Sequence, residues 1–219
     1  LVVWPCDVRD DAAVAELATA AGPVDVLVNN AGYAVFGSQA EADLGAIREL
    51  FETNVLGVAR VTQALLPSLR ARRGAVVNIS SVAGRVVFPE SGFYAASKHA
   101  VEAMSEALFE ENCTFGLRVV VIEPGHFATG FQARAAAMSK PRSPDSPYAH
   151  LHALWDQRRG EALAVPQDPE LVVDAILAGL ASDEPYVYVE AGEDAPVLLR
   201  QRESLGHLGW MRAMRERYS

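Results

Sequence analysis

Hydrophobic positions along the chain fall into two recurring patterns. Five short β-rich runs punctuate it, at residues 1–8, 24–29, 75–80, 117–123 and 186–190. Four of them are dominated by Val, Ile or Leu without polar alternation, the pattern of a strand covered on both faces. Between them lie longer segments with helical spacing. Residues 10–21 carry Val14, Leu17 and Ala18 on one face, with Asp10 or Asp11 placed to cap the start. Residues 44–72 set Ile47, Leu50, Phe51, Val55, Val58, Val61 and Leu65 near the 3.6-residue period. Residues 94–111 continue with Val101, Met104 and Leu108.

This alternation predicts parallel strands joined by right-handed crossovers, hence a doubly wound α/β sheet in three layers. Ligands of such sheets sit beyond the carboxyl ends of the strands. That singles out the loops 29–32, 80–84 and 124–129, all rich in small or hydrogen-bonding residues. The stretch 139–147 differs, with Pro141, Pro144 and Pro147 among Ser, Lys, Arg and Asp. Prolines so spaced exclude a continuous helix. It reads as an exposed loop, or as part of a substrate-side lid over 131–165. One domain over 1–219 is the simplest organisation.

Half of the 219 residues are hydrophobic, enough for a sizeable core. No window approaches eighteen uninterrupted apolar residues, so no membrane span is expected. A formal charge of −9, from 28 acids against 19 bases, argues against nucleic acid as a partner. Cys6 and Cys113 lie far apart without metal-ligand spacing, which points to a reducing, cytoplasmic setting. His150 and His152 find no third ligand, so no metal site is expected. The chain opens inside an apolar run, Leu1-Val2-Val3-Trp4, without the pattern of a secretory signal. That reads as the interior of a longer polypeptide, or equally as a processed N-terminus.

Tyr94-Ala-Ala-Ser97-Lys98 places a phenol and an ammonium one helical turn apart, on one face. A phenol has a reference pKa of about 10, and a nearby ammonium favours its ionised form, making it a more usable acid/base. Ser81 stands thirteen positions earlier, at the end of a β-rich run, in Val77-Asn-Ile-Ser80-Ser81-Val-Ala-Gly84. Leu27-Val-Asn29-Asn30-Ala31-Gly32 ends another such run, and Glu52-Thr53-Asn54-Val55 sets an amide within an otherwise apolar helix. Downstream comes Glu123-Pro124-Gly125-His126-Phe127-Ala128-Thr129.

This ordered set of motifs resembles the short-chain dehydrogenase/reductase family over residues 6–131, and 94–129 looks most like hydroxysteroid-dehydrogenase-type members. The resemblance implies a Rossmann-like α/β fold. It also implies an oxidoreductase that moves a hydride between NAD(P)(H) and a ketone or secondary alcohol. NADP(H) is favoured over NAD(H), and a homodimer or homotetramer is expected, with 44–72 and 94–111 packed on the partner. Tyr94 matches the acid/base, Ser81 the hydroxyl that steadies the substrate oxygen, and Ser80 is the lesser candidate. Lys98 matches the residue that lowers the tyrosine pKa and binds the nicotinamide ribose. Asn54 matches the amide holding a water that links the lysine to solvent. Asn30, Ala31 and Gly32 match the turn beside the adenosine half. Asp7 and Val8 match the pair that touches adenine, although Asp7 equally reads as a strand end. Phe127 and Thr129 match positions beside the carboxamide.

Phe36, Phe88, Phe93, Phe131 and Trp155 flank these residues, either as an apolar substrate pocket or as ordinary core. His126 reads as a substrate contact or a plain loop residue. The tail, with five arginines and Trp210 between 200 and 219, reads as a solvated helix. The family's opening strand and Thr-Gly-x-x-x-Gly-x-Gly turn, a unit of at least about 30 residues, has no counterpart in the sequence. The first βαβ portion is therefore expected to be missing, with residues 1–8 left without their usual strand neighbours. A non-catalytic remnant or binding protein that has lost its pyrophosphate loop is the alternative reading.

Overall fold

Four strands form one parallel sheet in the order β1-β2-β3-β4: β1 Val26–Asn29, β2 Ala75–Ile79, β3 Arg118–Pro124 and β4 Tyr186–Ala191. The computed structural model describes residues 1–165 and 167–218. The helices are α1 Asp11–Ala21, α2 Leu44–Phe51, α3 Val58–Arg72, α4 Gly92–Asn112, α5 Gly130–Met138, α6 Ala149–Leu163, α7 Glu170–Ala181 and α8 Ala195–Tyr218. No helix among the described residues is long and apolar enough to cross a membrane.

The sheet is covered on both faces because alternate residues of each strand point to opposite sides. Leu27, Val76, Val119 and Val121 pack with Val14 of α1 and Val61, Leu65 and Leu69 of α3. Val77, Val120 and Ile122 pack on the other side with Val172, Ala175 and Ile176 of α7. The result is the three-layer, Rossmann-like α/β arrangement expected. β2 and β3 are buried on both faces, but β1 departs from expectation: Val26 and Val28 are 41% and 42% exposed. They lie in register with the α7-facing side of β2, and α7 packs chiefly on β3 and β4.

Residues 1–8 form no strand, a correction to the reading of their apolar run. Leu1, Val2 and Val3 are exposed, while Cys6 and Val8 turn inward onto the α1–α3 cluster. A β-rich run becomes a strand only where a neighbour completes its hydrogen bonds. Among the described residues no strand lies beside this one.

Local signals account for the other boundaries. Asp10, not Asp11, caps α1 by accepting from the N–H groups of Ala12 and Ala13 at 2.8 and 3.2 Å. The long helical segment 44–72 is continuous in backbone but contains a π-helical stretch, Glu52–Gly57, between α2 and α3. Such stretches widen the turn locally and occur often at functional sites. Segment 139–147 is non-helical between α5 and α6, as its prolines require. It is nevertheless pinned to the body: Phe36 N–H donates to Ser139 Oγ at 2.8 Å, and Ser146 Oγ to Glu41 Oε1 at 2.7 Å.

The tail is not a plain solvated helix. Non-helical backbone at Gly206 (φ 62°) breaks α8, and beyond it Trp210, Met214 and Tyr218 are buried with Val82, Val86 and Leu199. Apolar burial of that size outweighs the exposure of the interspersed arginines.

Candidate active site

The carboxyl ends of β2 and β3, with the loop after β1, open onto one cavity of about 500 Å³. Ser81 reaches it from the end of β2, and Tyr94 and Lys98 from the first turns of α4. Asn30 and Gly32 form its lip after β1, and Phe127 and Thr129 its wall after β3. The structure thus brings together most of the residues that the motifs singled out. Ala31 is exposed beside the lip but does not line the cavity. Asp7 and Val8 do not reach it either. Asp7 is exposed and held by Arg9 at 2.7 Å, and Val8 packs on the α1–α3 cluster.

The Ser81 hydroxyl lies close enough to the Tyr94 phenol to favour its ionised form, and it donates to the Pro124 carbonyl at 3.5 Å. Ser81 Oγ also accepts from the N–H of Ala83 at 3.1 Å, so the short helical turn that follows β2 orients it. Ser80 lines the same cavity, with its hydroxyl donating to Glu102. The Tyr94 ring stands edge-on to Phe36 and Phe131, with centroids 6.2 and 5.8 Å away.

Lys98 Nζ donates to the Ile79 carbonyl at 2.8 Å and lies 5.9 Å from the centroid of the Tyr94 ring. An ammonium has three donors, so donors remain for a ligand in the cavity. Asn54 is buried behind the lip. Its Oδ1 accepts from the Tyr33 N–H at 3.1 Å, and its Nδ2 donates to the Tyr33 carbonyl at 2.9 Å and to Ser97 Oγ at 3.1 Å. The amide therefore ties the loop after β1 to α4. At Gly32 an added Cβ would stand 3.0 Å from Asn54 Oδ1 and 3.8 Å from Lys98 Nζ, so a side chain would crowd this junction.

Burial sets the electrostatics of the site. The Tyr94 phenol is pushed up to about 12 by desolvation, with the Ser81 hydrogen bond pulling the other way. Lys98 is pushed down to about 8 by desolvation, partly offset by the charge of Glu102. The expected lowering of the phenol by its lysine is thus not what the structure gives. Loss of water around the oxygen is the largest influence on it. Glu102, one turn beyond Lys98, is itself pushed up to about 7 by burial, with the Ser80 hydroxyl opposing.

Several residues were missed by sequence reasoning. Glu102 was legible in principle, because it lies four residues after Lys98 on the same helix. The His126–Asp194 pair carried no local signal. Asp194 Oδ2 meets His126 Nδ1 at 2.6 Å and accepts from its backbone N–H at 3.0 Å, fixing the loop after β3. These contacts and the Gln167 amide pull Asp194 down to about 2, against the upward push of its burial.

Four of the five flanking aromatics, Phe36, Phe88, Phe131 and Trp155, line the cavity. Phe93 packs instead with Tyr33, Val35, Ile47 and Leu50. His152 is buried away from the cavity, between Glu90 at 3.0 Å and Glu41 at 3.2 Å, while His150 is exposed.

A family model described as short chain dehydrogenase matches residues 1–140. An uncharacterized oxidoreductase of Bacillus subtilis, YusZ, is 37% identical over 74% of this chain and 61% of its own length. Estradiol 17-beta-dehydrogenase 1 of Rattus norvegicus is 32% identical over 100% of this chain and 66% of its own. The chain therefore spans somewhat less than two thirds of the length of these curated relatives.

Among solved structures, a short-chain dehydrogenase from Streptomyces avermitilis is 34% identical, with a TM-score of 0.75 over 96% of this chain and 78% of that one. A Burkholderia phymatum short chain dehydrogenase/reductase in complex with NAD is 27% identical, with a TM-score of 0.75 over 91% and 73%. A Burkholderia cenocepacia short chain dehydrogenase in complex with NADP is 26% identical, with a TM-score of 0.71 over 90% and 72%.

Proposed function

The chain belongs to the short-chain dehydrogenase family, and on that premise we propose that it is an NAD(P)-dependent oxidoreductase acting on a ketone or secondary alcohol. The observation that carries this reading is the convergence of Ser81 and Tyr94, from different elements, on one cavity with Lys98 a helical turn away.

A nicotinamide nucleotide, when bound, supplies or takes the hydride. Asn30 and Gly32 form the lip along which its backbone would lie, and Lys98 has donors free for a ribose hydroxyl. Phe127 and Thr129, in the cavity wall, would meet the carboxamide end. In reduction, the Ser81 hydroxyl donates a hydrogen bond to the carbonyl oxygen. Tyr94 transfers its phenolic proton to that same oxygen as the carbon gains a hydride, so the C=O π bond becomes an alcohol. In oxidation Tyr94 takes the proton back. The cation of Lys98 stabilises the phenolate left behind.

NADP(H) is the coenzyme favoured over NAD(H), on the likeness to hydroxysteroid dehydrogenases. Segment 131–165 serves as the substrate-side cover, supported by Phe131 and Trp155 in the cavity wall. A cytoplasmic homodimer or homotetramer is proposed. Free thiols at Cys6 and Cys113 suit a reducing compartment, and light scattering that returns a clean monomer would overturn the assembly. For the activity itself, the purified protein is assayed with NADPH or NADH and a panel of ketones, following coenzyme absorbance. Turnover that vanishes in Tyr94→Phe supports the reading. No turnover and no coenzyme binding would favour the non-catalytic alternative.

A further inference from the structure

The cavity is charged against the grain of the chain. The protein carries −9 overall, yet among the described residues no Asp or Glu lines the cavity, while Lys98, His126, Arg134 and Arg159 do. Lys98 belongs to the proposed chemistry, and His126 is engaged by Asp194. Arg134 is exposed, above the Tyr33 ring at 5.7 Å. Arg159 has no such explanation.

Arg159 projects from α6 into the aromatic wall. Its guanidinium carbon lies 4.8 Å from the centroid of the Phe36 ring. That ring is 6.2 Å from Tyr94 and 5.6 Å from Trp155, centroid to centroid. Arg159 is therefore separated from the proposed acid by one aromatic ring. Gln132 Oε1 accepts from its Nε at 3.1 Å and also from Nη2. Among the described residues no carboxylate pairs with it, and its Nη1 has no hydrogen-bond partner.

A half-buried guanidinium is costly to maintain where the carboxylate acting on it, Asp156 of the same helix, is already ion-paired with Arg142; burial pushes the Arg159 pKa down, with Asp156 opposing. What it offers is a planar fork of donors matched to a carboxylate. Stacking on Phe36 and the Gln132 amide fix the plane of that fork before any ligand arrives. A pre-organised cation loses little entropy on binding an anion.

We propose that Arg159 selects carbonyl or alcohol substrates that carry a carboxylate, set apart from the reacting carbon by an apolar segment lying on Phe36 and Trp155. This rests on the oxidoreductase reading and replaces its simply apolar substrate with an amphipathic anion. The same chemistry, an anionic oxygen group, is also present in the coenzyme phosphates, so the test must separate the two sources.

A homologous series of aryl keto acids of increasing chain length, and their methyl esters, are compared as substrates of the wild type, Arg159→Gln and Arg159→Lys. Coenzyme affinity is measured in parallel by NADPH fluorescence. The expected result is a preference of the wild type for the best acid over its ester of about tenfold or more in kcat/KM. Arg159→Gln abolishes that preference, mainly through KM, and Arg159→Lys restores part of it. Esters and NADPH affinity stay within about twofold.

Absence of an acid preference in the wild type overturns the proposal, as does equal loss on acids and esters in Arg159→Gln. A loss confined to NADPH affinity also overturns it, by assigning the cation to the coenzyme. If no ketone is turned over, the oxidoreductase reading fails on its own. The anion site is then read by quenching of tryptophan fluorescence, through Trp155, as the keto acids are titrated. Saturable quenching in the wild type that Arg159→Gln removes sustains the site, and identical curves sink it.

Discussion

Lys98 donates to the carbonyl of Ile79 at 2.8 Å, joining helix α4 to the last residue of strand β2. This bond does more than satisfy a strand-end carbonyl. It fixes an ammonium at the mouth of the sheet, where parallel strands present their carbonyl groups. Because the next residues of the chain after Ile79 are Ser80 and Ser81, the same contact sets the distance between α4 and the Ser81 hydroxyl. Lysine, phenol and serine are thereby located relative to one another by elements that belong to the core.

Lys98 is depressed to about 8 by burial, so its charge is lost within the accessible pH range. If that charge supports reduction, kcat/KM for a ketone holds level up to about pH 8 and falls above it. Tyr94, near 12, still holds its proton over that whole interval. Lys98→Met is expected to lower the rate and remove the decline. An unchanged alkaline limb in the variant would assign the titration to another group.

Tyr94→Phe keeps both edge-on ring contacts, with Phe36 and Phe131, and removes only the hydroxyl. Loss of general acid catalysis is expected to lower turnover by about 10²–10⁴-fold. Melting temperature should change little, since the lost oxygen is a desolvated group and the Ser81 hydroxyl keeps the Pro124 carbonyl as its acceptor. Circular dichroism melts and steady-state rates on the same preparation check both halves. Near-normal turnover would falsify the assignment.

How much of this was legible in the sequence depended on the range of the signal. Tyr94, Lys98 and Ser81 were found because helix spacing and the end of an apolar run are local properties. Asn54 was noticed as a polar residue in an apolar helix, but the π-helical stretch that carries it was not foreseen. Such a turn depends on the fit between α2, α3 and the loop it faces. Residues 1–8 were misread for the complementary reason: apolar, β-rich residues were present, but among the described residues no strand lies beside them. Arg159 escaped notice because its partners, Phe36 and Gln132, lie far away in the chain and meet it only across a cavity.

Asn54→Ala removes three hydrogen bonds at once and leaves the Tyr33 N–H and carbonyl without their partner in a buried setting. Each orphaned group costs about 1–3 kcal/mol, giving an expected loss of roughly 2–6 kcal/mol in stability. For a domain of this size that is a fall of roughly 4–24 °C in Tm. The loop carrying Gly32 should also loosen, which amide hydrogen exchange at Tyr33 would reveal. Unaltered exchange there would mean that the loop is held by something other than this amide.

Glu102 supplies a prediction whose sign can be worked out. Burial raises it from an ordinary 4.5 to about 7, while the Ser80 hydroxyl bonds one carboxylate oxygen and the other has no partner among the described residues. A group that holds its proton more tightly when folded contributes stability that is complete below its unfolded pKa. That contribution is lost as pH rises through the folded value. Here the window runs from about 4.5 to about 7, and the loss amounts to at most about 3 kcal/mol. Glu102→Gln keeps an acceptor for Ser80 and cannot ionise. The two proteins should therefore melt together at about pH 4, below the window, while the variant melts several degrees higher at pH 8. Glu123, raised to about 6 by its own burial, titrates in the same window and acts on Glu102 through its charge, so the comparison reads the pair. A gap in melting temperature that is the same at both pH values would show that the carboxylate is not strained by ionisation.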